Sequence, residues 1–138
     1  MTPTQIELVQ ATWASVIPIQ DTAAQLFYGR LFELDPGLRP LFKDDMTEQR
    51  RKLMTMISLA VNGLTKLDSL LPAVRDLGRR HLAYGVSRQH YGTVGAALLW
   101  TLEQGLGTAF TGEVKEAWTA VYSALATTMQ QGAAAAAA

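Results

Sequence analysis

Chemistry has few places to reside in this chain. It contains two histidines, His81 and His90, and no cysteine. Imidazole work therefore falls on one of two residues, while thiolate ligands, thiol nucleophiles, disulfides and thioether-linked cofactors are excluded. No His-Glu-x-x-His pair and no phosphate-cradling Gly-x-x-x-x-Gly-Lys loop occurs. Gly105-Leu106-Gly107 meets Phe110 where a dinucleotide fingerprint needs its third glycine, and it follows a helical pattern, so it reads as a helix stop. His81 stands three residues after Gly78, four after Leu77 and seven after Val74, which puts it on the inner, apolar side of a helix. Two uses fit that placement: a core histidine bonded to a backbone carbonyl, or a ligand to iron or another metal. Gln49, one turn before Leu53, is either an exposed first-turn residue or a polar group where an inner stripe would extend. Tyr28 lies among Ala24, Leu31 and Phe32 at helical spacing, the pattern of a core tyrosine with a satisfied hydroxyl or of a donor within a pocket.

The elements that must position these residues are helical. Apolar residues recur at helical spacing and no period-2 strand stands out. Thr2-Pro3-Thr4-Gln5 predicts a capping box opening a first helix whose inner stripe is Ile6, Val9, Trp13, Val16 and Ile17, stopped at Pro18. Asp21 opens a second, with Leu26, Phe27, Tyr28, Leu31, Phe32 and Leu34, broken by Asp35-Pro36-Gly37. A tight turn at Pro40 leads to Leu41-Phe42 and a polar corner. Thr47 then caps a helix carrying Leu53, Ile57, Ala60, Val61 and Leu64. Asp68 or Ser69 starts the next, with Pro72 in its first turn and Gly85 at its end. Ser87 leads into a helix with Tyr91, Val94, Leu98 and Leu102, closed by Gly105 and Gly107. Thr111 caps the last, with Val114, Trp118, Val121, Tyr122, Leu125 and Met129 inward. The expected architecture is all-α, with six or seven helices and short connections.

Composition sets the outer limits. At 138 residues, 49% of them hydrophobic, the chain is sized for one domain and one real core. Twelve basic residues balance twelve acidic ones, so no global charge argues for nucleic acid or an anionic membrane as partner. No apolar run approaches the ~20 residues of a membrane span, and the N-terminus lacks a basic-then-apolar export signal, so a cytoplasmic setting is expected. The expected division is a domain over residues 1–132 and an oligo-alanine tail over 133–138, to which no function is assigned.

Taken in order, the fragments resemble a known family. They are the Trp13 helix, Phe27-Tyr28 with Leu31-Phe32, the Pro36 turn to Leu41-Phe42, and Gln49-Arg50-Arg51-Lys52-Leu53-Met54. Leu77-Gly78-Arg79-Arg80-His81, Tyr84-Gly85-Val86, His90-Tyr91 with Val94-Gly95, and Ala117-Trp118 with Val121-Tyr122 complete the set. From about Thr4 to Met129 the chain resembles the globins, specifically the single-domain bacterial haemoglobins similar to the globin half of flavohaemoglobins.

The resemblance implies a globin fold, helices three-over-three around haem b, with His81 as proximal iron ligand. It implies that Phe42 packs on the porphyrin, that Gln49 and Leu53 form the distal gate, and that Tyr28 reaches the ligand from the second helix. Ile57, Leu77, Val94 and Leu98 would line the cleft, and Arg50, Lys52, Arg80 and Arg88 are candidates for the propionates. Oxygen bound to ferrous iron carries partial negative charge, so donors at Tyr28 and Gln49 would hold it, and carbon monoxide less so. Tyr91 matches a tyrosine that supports the proximal histidine in flavohaemoglobins. The accompanying glutamate would fall approximately at Ala133, where no acid stands, which implies weaker proximal electron donation. The implied function is reversible oxygen binding at a pentacoordinate iron, with oxygen, carbon monoxide and nitric oxide as ligands. Nitric oxide dioxygenation would need a separate reductase. The alternatives are a gas or redox sensor acting through a protein partner, and a haem-free helical module.

Overall fold

The computed structural model describes residues 1–83 and 86–137. The expected helix end at Gly85, and the Tyr84-Gly85 part of the resemblance, lie outside the described residues. Six α-helices account for most of the chain: α1 (Pro3–Val16), α2 (Gln20–Leu34), α3 (Thr47–Asn62), α4 (Leu67–Ala83), α5 (Arg88–Leu106) and α6 (Gly112–Ala137). Among the described residues there is no strand, and no helix is long and apolar enough to cross a membrane.

Local signals set most boundaries. Thr2 Oγ1 accepts from the Gln5 N–H at 3.1 Å and Gln5 Oε1 accepts from the Thr2 N–H at 2.9 Å, the reciprocal box expected at the start of α1. Pro18 sits in a 3-10 turn, Ile17–Ile19, that feeds straight into α2. Asp35 Oδ1 accepts from the Gly37 N–H at 3.1 Å and opens a second 3-10 segment, Pro36–Leu41. Thr111 Oγ1 accepts from the Val114 N–H at 3.3 Å at the start of α6, which continues through the alanines.

Leu64, expected on the stripe of the third helix, lies in a 3-10 turn beyond the end of α3 at Asn62, and four further boundaries differ from expectation. Helix α2 begins at Gln20, before Asp21, because Ile17–Ile19 is already helical and needs no side-chain cap. Thr47 is the first residue of α3 and Met46 its N-cap; Asp45 Oδ1 holds the Thr47 N–H at 3.0 Å, so the capping carboxylate comes from one residue further back. Helix α4 begins at Leu67 because the 3-10 turn Leu64–Lys66 runs into it without a break, which leaves Pro72 inside the helix rather than in its first turn. Gly105 lies within α5; only Gly107, at φ 56°, turns left-handed and ends the helix.

The packing follows from which faces are apolar. Helix α6 lies against α4 and α1, α5 against α2, and α3 against α2. Trp13 and Trp118 meet edge to face at 5.9 Å, and their indole N–H groups donate to Ser58 Oγ and Thr12 Oγ1, both at 2.9 Å, so neither buried donor is left unpaired. Helices α4 and α6 come into backbone contact. A Cβ on Gly78 would overlap the Met129 carbonyl, and one on Gly132 the Arg75 carbonyl.

Candidate functional site

A cavity of about 200 Å³ opens between α3 and α4, floored by α5 and α6. Leu53, Met56, Ile57, Ala60 and Val61 of α3 form one wall. Val74, Leu77 and His81 of α4 face them, and Tyr91, Val94 and Leu98 of α5 close one end. Helix α4 rests on α6 rather than on α3, so the slot between α3 and α4 is bounded by side chains from two elements that barely touch. Among the described residues, no carboxylate, lysine or arginine lines it.

Among the described residues, His81 is the one imidazole on the cavity. Its Nδ1 lies 2.7 Å from the carbonyl of Leu77, one turn back on the same helix. A carbonyl only accepts, so Nδ1 carries the proton and donates, leaving Nε2 with an available lone pair. The two readings of His81 left open by its spacing are thus physically compatible: the carbonyl bond fixes the ring and tautomer in which the other nitrogen can bind a metal. Among the described residues no cluster of three or more His, Asp or Glu side chains could hold a bare ion. A metal taken up here must bring its other ligands, as a flat apolar macrocycle does, and the apolar slot with one oriented nitrogen fits such a group.

Tyr28, Gln49 and Phe42 form a second cluster that does not line the cavity. Gln49 Nε2–H donates to Tyr28 Oη at 3.0 Å, across 21 residues of sequence. Phe42 meets Tyr28 at 5.6 Å and Phe32 at 5.6 Å, both edge on. Burial raises the Tyr28 pKa above its ordinary value, partly offset by the Gln49 bond, so the phenol stays protonated. Because Gln49 uses a lone pair on the phenol oxygen, the O–H proton itself stays available to another acceptor. Phe27 joins the two clusters: it lines the cavity and packs edge on against Tyr28 at 5.0 Å.

The candidate propionate partners stand apart from the cavity lining. Arg80, exposed on α4, pairs with Asp76 at 3.3 Å, and Arg79 bonds the same carboxylate. Arg88 Nε donates to Gln130 Oε1 at 3.2 Å. Arg50 lies near Asp45, whose carboxyl is held below its usual range first by the Thr47 N–H, then by the Thr47 hydroxyl, and least by this guanidinium. Lys52 is exposed. His90 serves structure: its Nδ1 accepts the Ser87 N–H at 2.9 Å at the start of α5.

Of the ten residues that the resemblance assigned to the haem site, Leu53, Ile57, Leu77, His81, Tyr91, Val94 and Leu98 line this cavity, while Phe42, Gln49 and Arg80 do not. Sequence reasoning missed Phe27, Met56 and Val86 as cavity residues, and read Trp118, Tyr122 and Met129 only as inward residues. Met56 could have been found, since it stands between Leu53 and Ile57 on one broad apolar arc. Tyr122 donates its hydroxyl to the Tyr91 carbonyl at 2.6 Å, tying the first turn of α5 to α6. Burial drives the Tyr122 pKa far up, and that of Tyr91 up as well.

Comparison with known proteins adds an independent line. The sequence profile described as Globin matches residues 25–129. Neuroglobin of Chaenocephalus aceratus is 34% identical, covering 91% of this chain and 88% of that protein. Neuroglobin of Danio rerio is 33% identical over 91% of this chain and 87% of its own. Among solved structures, the bacterial globin from Campylobacter jejuni superposes with a TM-score of 0.83 at 22% identity, covering 96% of each chain. A hexacoordinated haem protein from an anhydrobiotic tardigrade superposes at 0.87 and 18%, over 96% of this chain and 95% of that one. At these identities the two structures establish the shared fold alone.

Proposed function

Because this chain belongs to the globin family, whose members bind haem and diatomic gases, we propose that it is a cytoplasmic haem b protein of the single-domain bacterial type that binds oxygen reversibly. The observation that carries the proposal is the His81 imidazole, fixed through Nδ1 on the Leu77 carbonyl and presented on an apolar slot. Haem held there by His81 would supply an iron centre able to bind oxygen and carbon monoxide reversibly and to support oxidation of nitric oxide to nitrate.

The chain's own residues do the rest. His81 orients and ligates; Leu53, Ile57, Leu77, Val94 and Leu98 exclude water, which slows loss of the reduced state. Tyr91 packs at the His81 end, and Phe42 offers an aromatic edge to the porphyrin. The slot's volume is below the ~300 Å³ at which small-ligand sites begin, so uptake spreads α3 from α4, two walls with little direct contact. Tyr28 and Gln49 supply donors to the ligand, with Gln49 orienting the phenol. Arg80 reaches a propionate by leaving Asp76, an exposed pairing that solvent screens and that holds the guanidinium only weakly. Sustained nitric oxide turnover draws electrons from a separate reductase.

The deciding experiment supplies His81→Ala and the parent with excess haem. The parent should give a Soret band and a ferrous carbon monoxide spectrum of a histidine-ligated haem, and the variant should give neither. Identical spectra in the two proteins would end the proposal.

A further inference from the structure

We propose that Arg39 is a positioning residue for the Tyr28–Gln49 pair: its guanidinium clasps the corner before α3 and thereby sets how firmly that pair holds a diatomic ligand. The proposal rests on the reading of Tyr28 and Gln49 as ligand donors. Arg39 Nη1 donates to the Phe42 carbonyl at 3.3 Å and the Lys43 carbonyl at 3.0 Å, and Nη2 donates to the Asp44 carbonyl at 3.2 Å. Three consecutive carbonyls, in a segment outside the regular helices, thus converge on one side chain. The same guanidinium lies 5.4 Å from the centroid of the Phe32 ring.

That geometry couples the corner to the pair from both ends. Phe32 packs against Tyr28 at 6.0 Å and against Phe42 at 5.6 Å, so Arg39 braces the aromatic wall around the phenol. Onward from Asp44, Asp45 holds the Thr47 N–H, and the first turn of α3 delivers Gln49 to Tyr28. The segment that Arg39 closes therefore carries Phe42 at one end and leads to Gln49 at the other. Arginine is required for the combination: a planar fork can serve several carbonyls edge on while its face stacks on a ring, whereas an ammonium is a point donor. Without the clasp these carbonyls turn to water and the corner samples many conformations, lowering the fraction of time in which Gln49 orients the phenol.

The test uses the full chain as parent, Arg39→Ala and Arg39→Lys, with Tyr28→Phe as reference. Trypsin reports the corner directly in both haem-free and haem-loaded protein: the Arg39-Pro40 bond resists it, so Lys43 is the reporting cut. Cleavage after Lys43 should rise about tenfold in Arg39→Ala, since cleavage tracks the open population of the corner. In the haem-loaded protein, oxygen dissociation should quicken about fivefold, the worth of one weakened hydrogen bond, and the carbon monoxide stretch should move to higher frequency and broaden. Arg39→Lys, which keeps the charge and guards against a folding failure in the alanine variant, should lie nearer to Arg39→Ala than to the parent. Faster cleavage with an unchanged stretch and an unchanged oxygen rate, while Tyr28→Phe alters both, would overturn the positioning role and leave Arg39 a loop staple. If Tyr28→Phe also changes neither, the donor reading itself is wrong and the clasp has nothing to position.

Discussion

At the scale of single residues, the Tyr28–Gln49 bond decides what the distal cluster can do. Gln49 donates and Tyr28 accepts, which leaves the phenol O–H as the group able to face an incoming ligand. Removing that O–H in Tyr28→Phe should speed oxygen dissociation roughly tenfold or more, as expected for losing a donor to a partly charged acceptor. Gln49→Leu should have a smaller effect, because it loses the orienting bond and leaves the phenol in place. The double variant should fall short of the product of the two, since the residues act through one shared bond. Stopped-flow oxygen displacement by carbon monoxide measures all three, and a fully multiplicative result would show that the two side chains act independently. Spacing alone put Tyr28 on an inner face and left Gln49 open between an exposed first turn and an extension of the inner stripe. Their pairing was hidden, because 21 residues of chain separate them and no local rule connects a tyrosine on one helix to a glutamine on the next.

At the scale of elements, the placement of His81 depends on how α4 lies on α6. Gly78, three residues before the histidine, abuts the Met129 backbone, and Gly132 abuts that of Arg75. A methyl at either place requires the helices to part, for which overpacking costs of about 1–3 kcal/mol are usual. Gly78→Ala and Gly132→Ala should therefore lower the urea midpoint of the haem-free protein, with Gly78→Ala also weakening haem retention. Gly92 on α5 is the control: a Cβ there meets nothing within 4 Å, so Gly92→Ala should be neutral or stabilise by about 0.5–1 kcal/mol. Equal midpoints for Gly78→Ala and Gly92→Ala would show that α4 and α6 are not in backbone contact.

At the scale of the whole molecule, three phenols, Tyr28 buried and Tyr91 and Tyr122 half-buried, give a shared pH signature. Burial raises the pKa of Tyr28, Tyr91 and Tyr122, Tyr122 furthest and with added repulsion from Tyr91. In the unfolded chain these groups ionise near ~10, while in the folded chain they keep their protons to higher pH. Above ~10 the unfolded state therefore binds fewer protons than the native one, and stability falls as pH rises. Thermal midpoints should be nearly level between neutrality and about pH 9 and drop beyond ~10. Tyr122→Phe should flatten that drop while lowering the neutral midpoint, because it also removes the bond to the Tyr91 carbonyl. An alkaline limb unchanged in Tyr122→Phe would assign the loss to other groups.

What the sequence determined by itself is short-ranged: the six-helix pattern, the Thr2–Gln5 box, the inward face of His81, and the one-turn spacing that lets its Nδ1 reach the Leu77 carbonyl. These follow from a 3.6-residue period and from caps that act within four positions, so the order of residues suffices to read them. Even here competition between neighbours escaped notice, as when the Asp45 carboxylate took the Thr47 N–H and Met46, not Thr47, became the N-cap of α3. Tertiary structure alone decided that Phe27 faces the cavity while Tyr28 turns to Gln49, and that the indoles of Trp13 and Trp118 find Ser58 and Thr12 on other helices. Each of those depends on where one helix lies relative to another, and that is settled by close packing of the whole core, a property that no stretch of the chain carries locally.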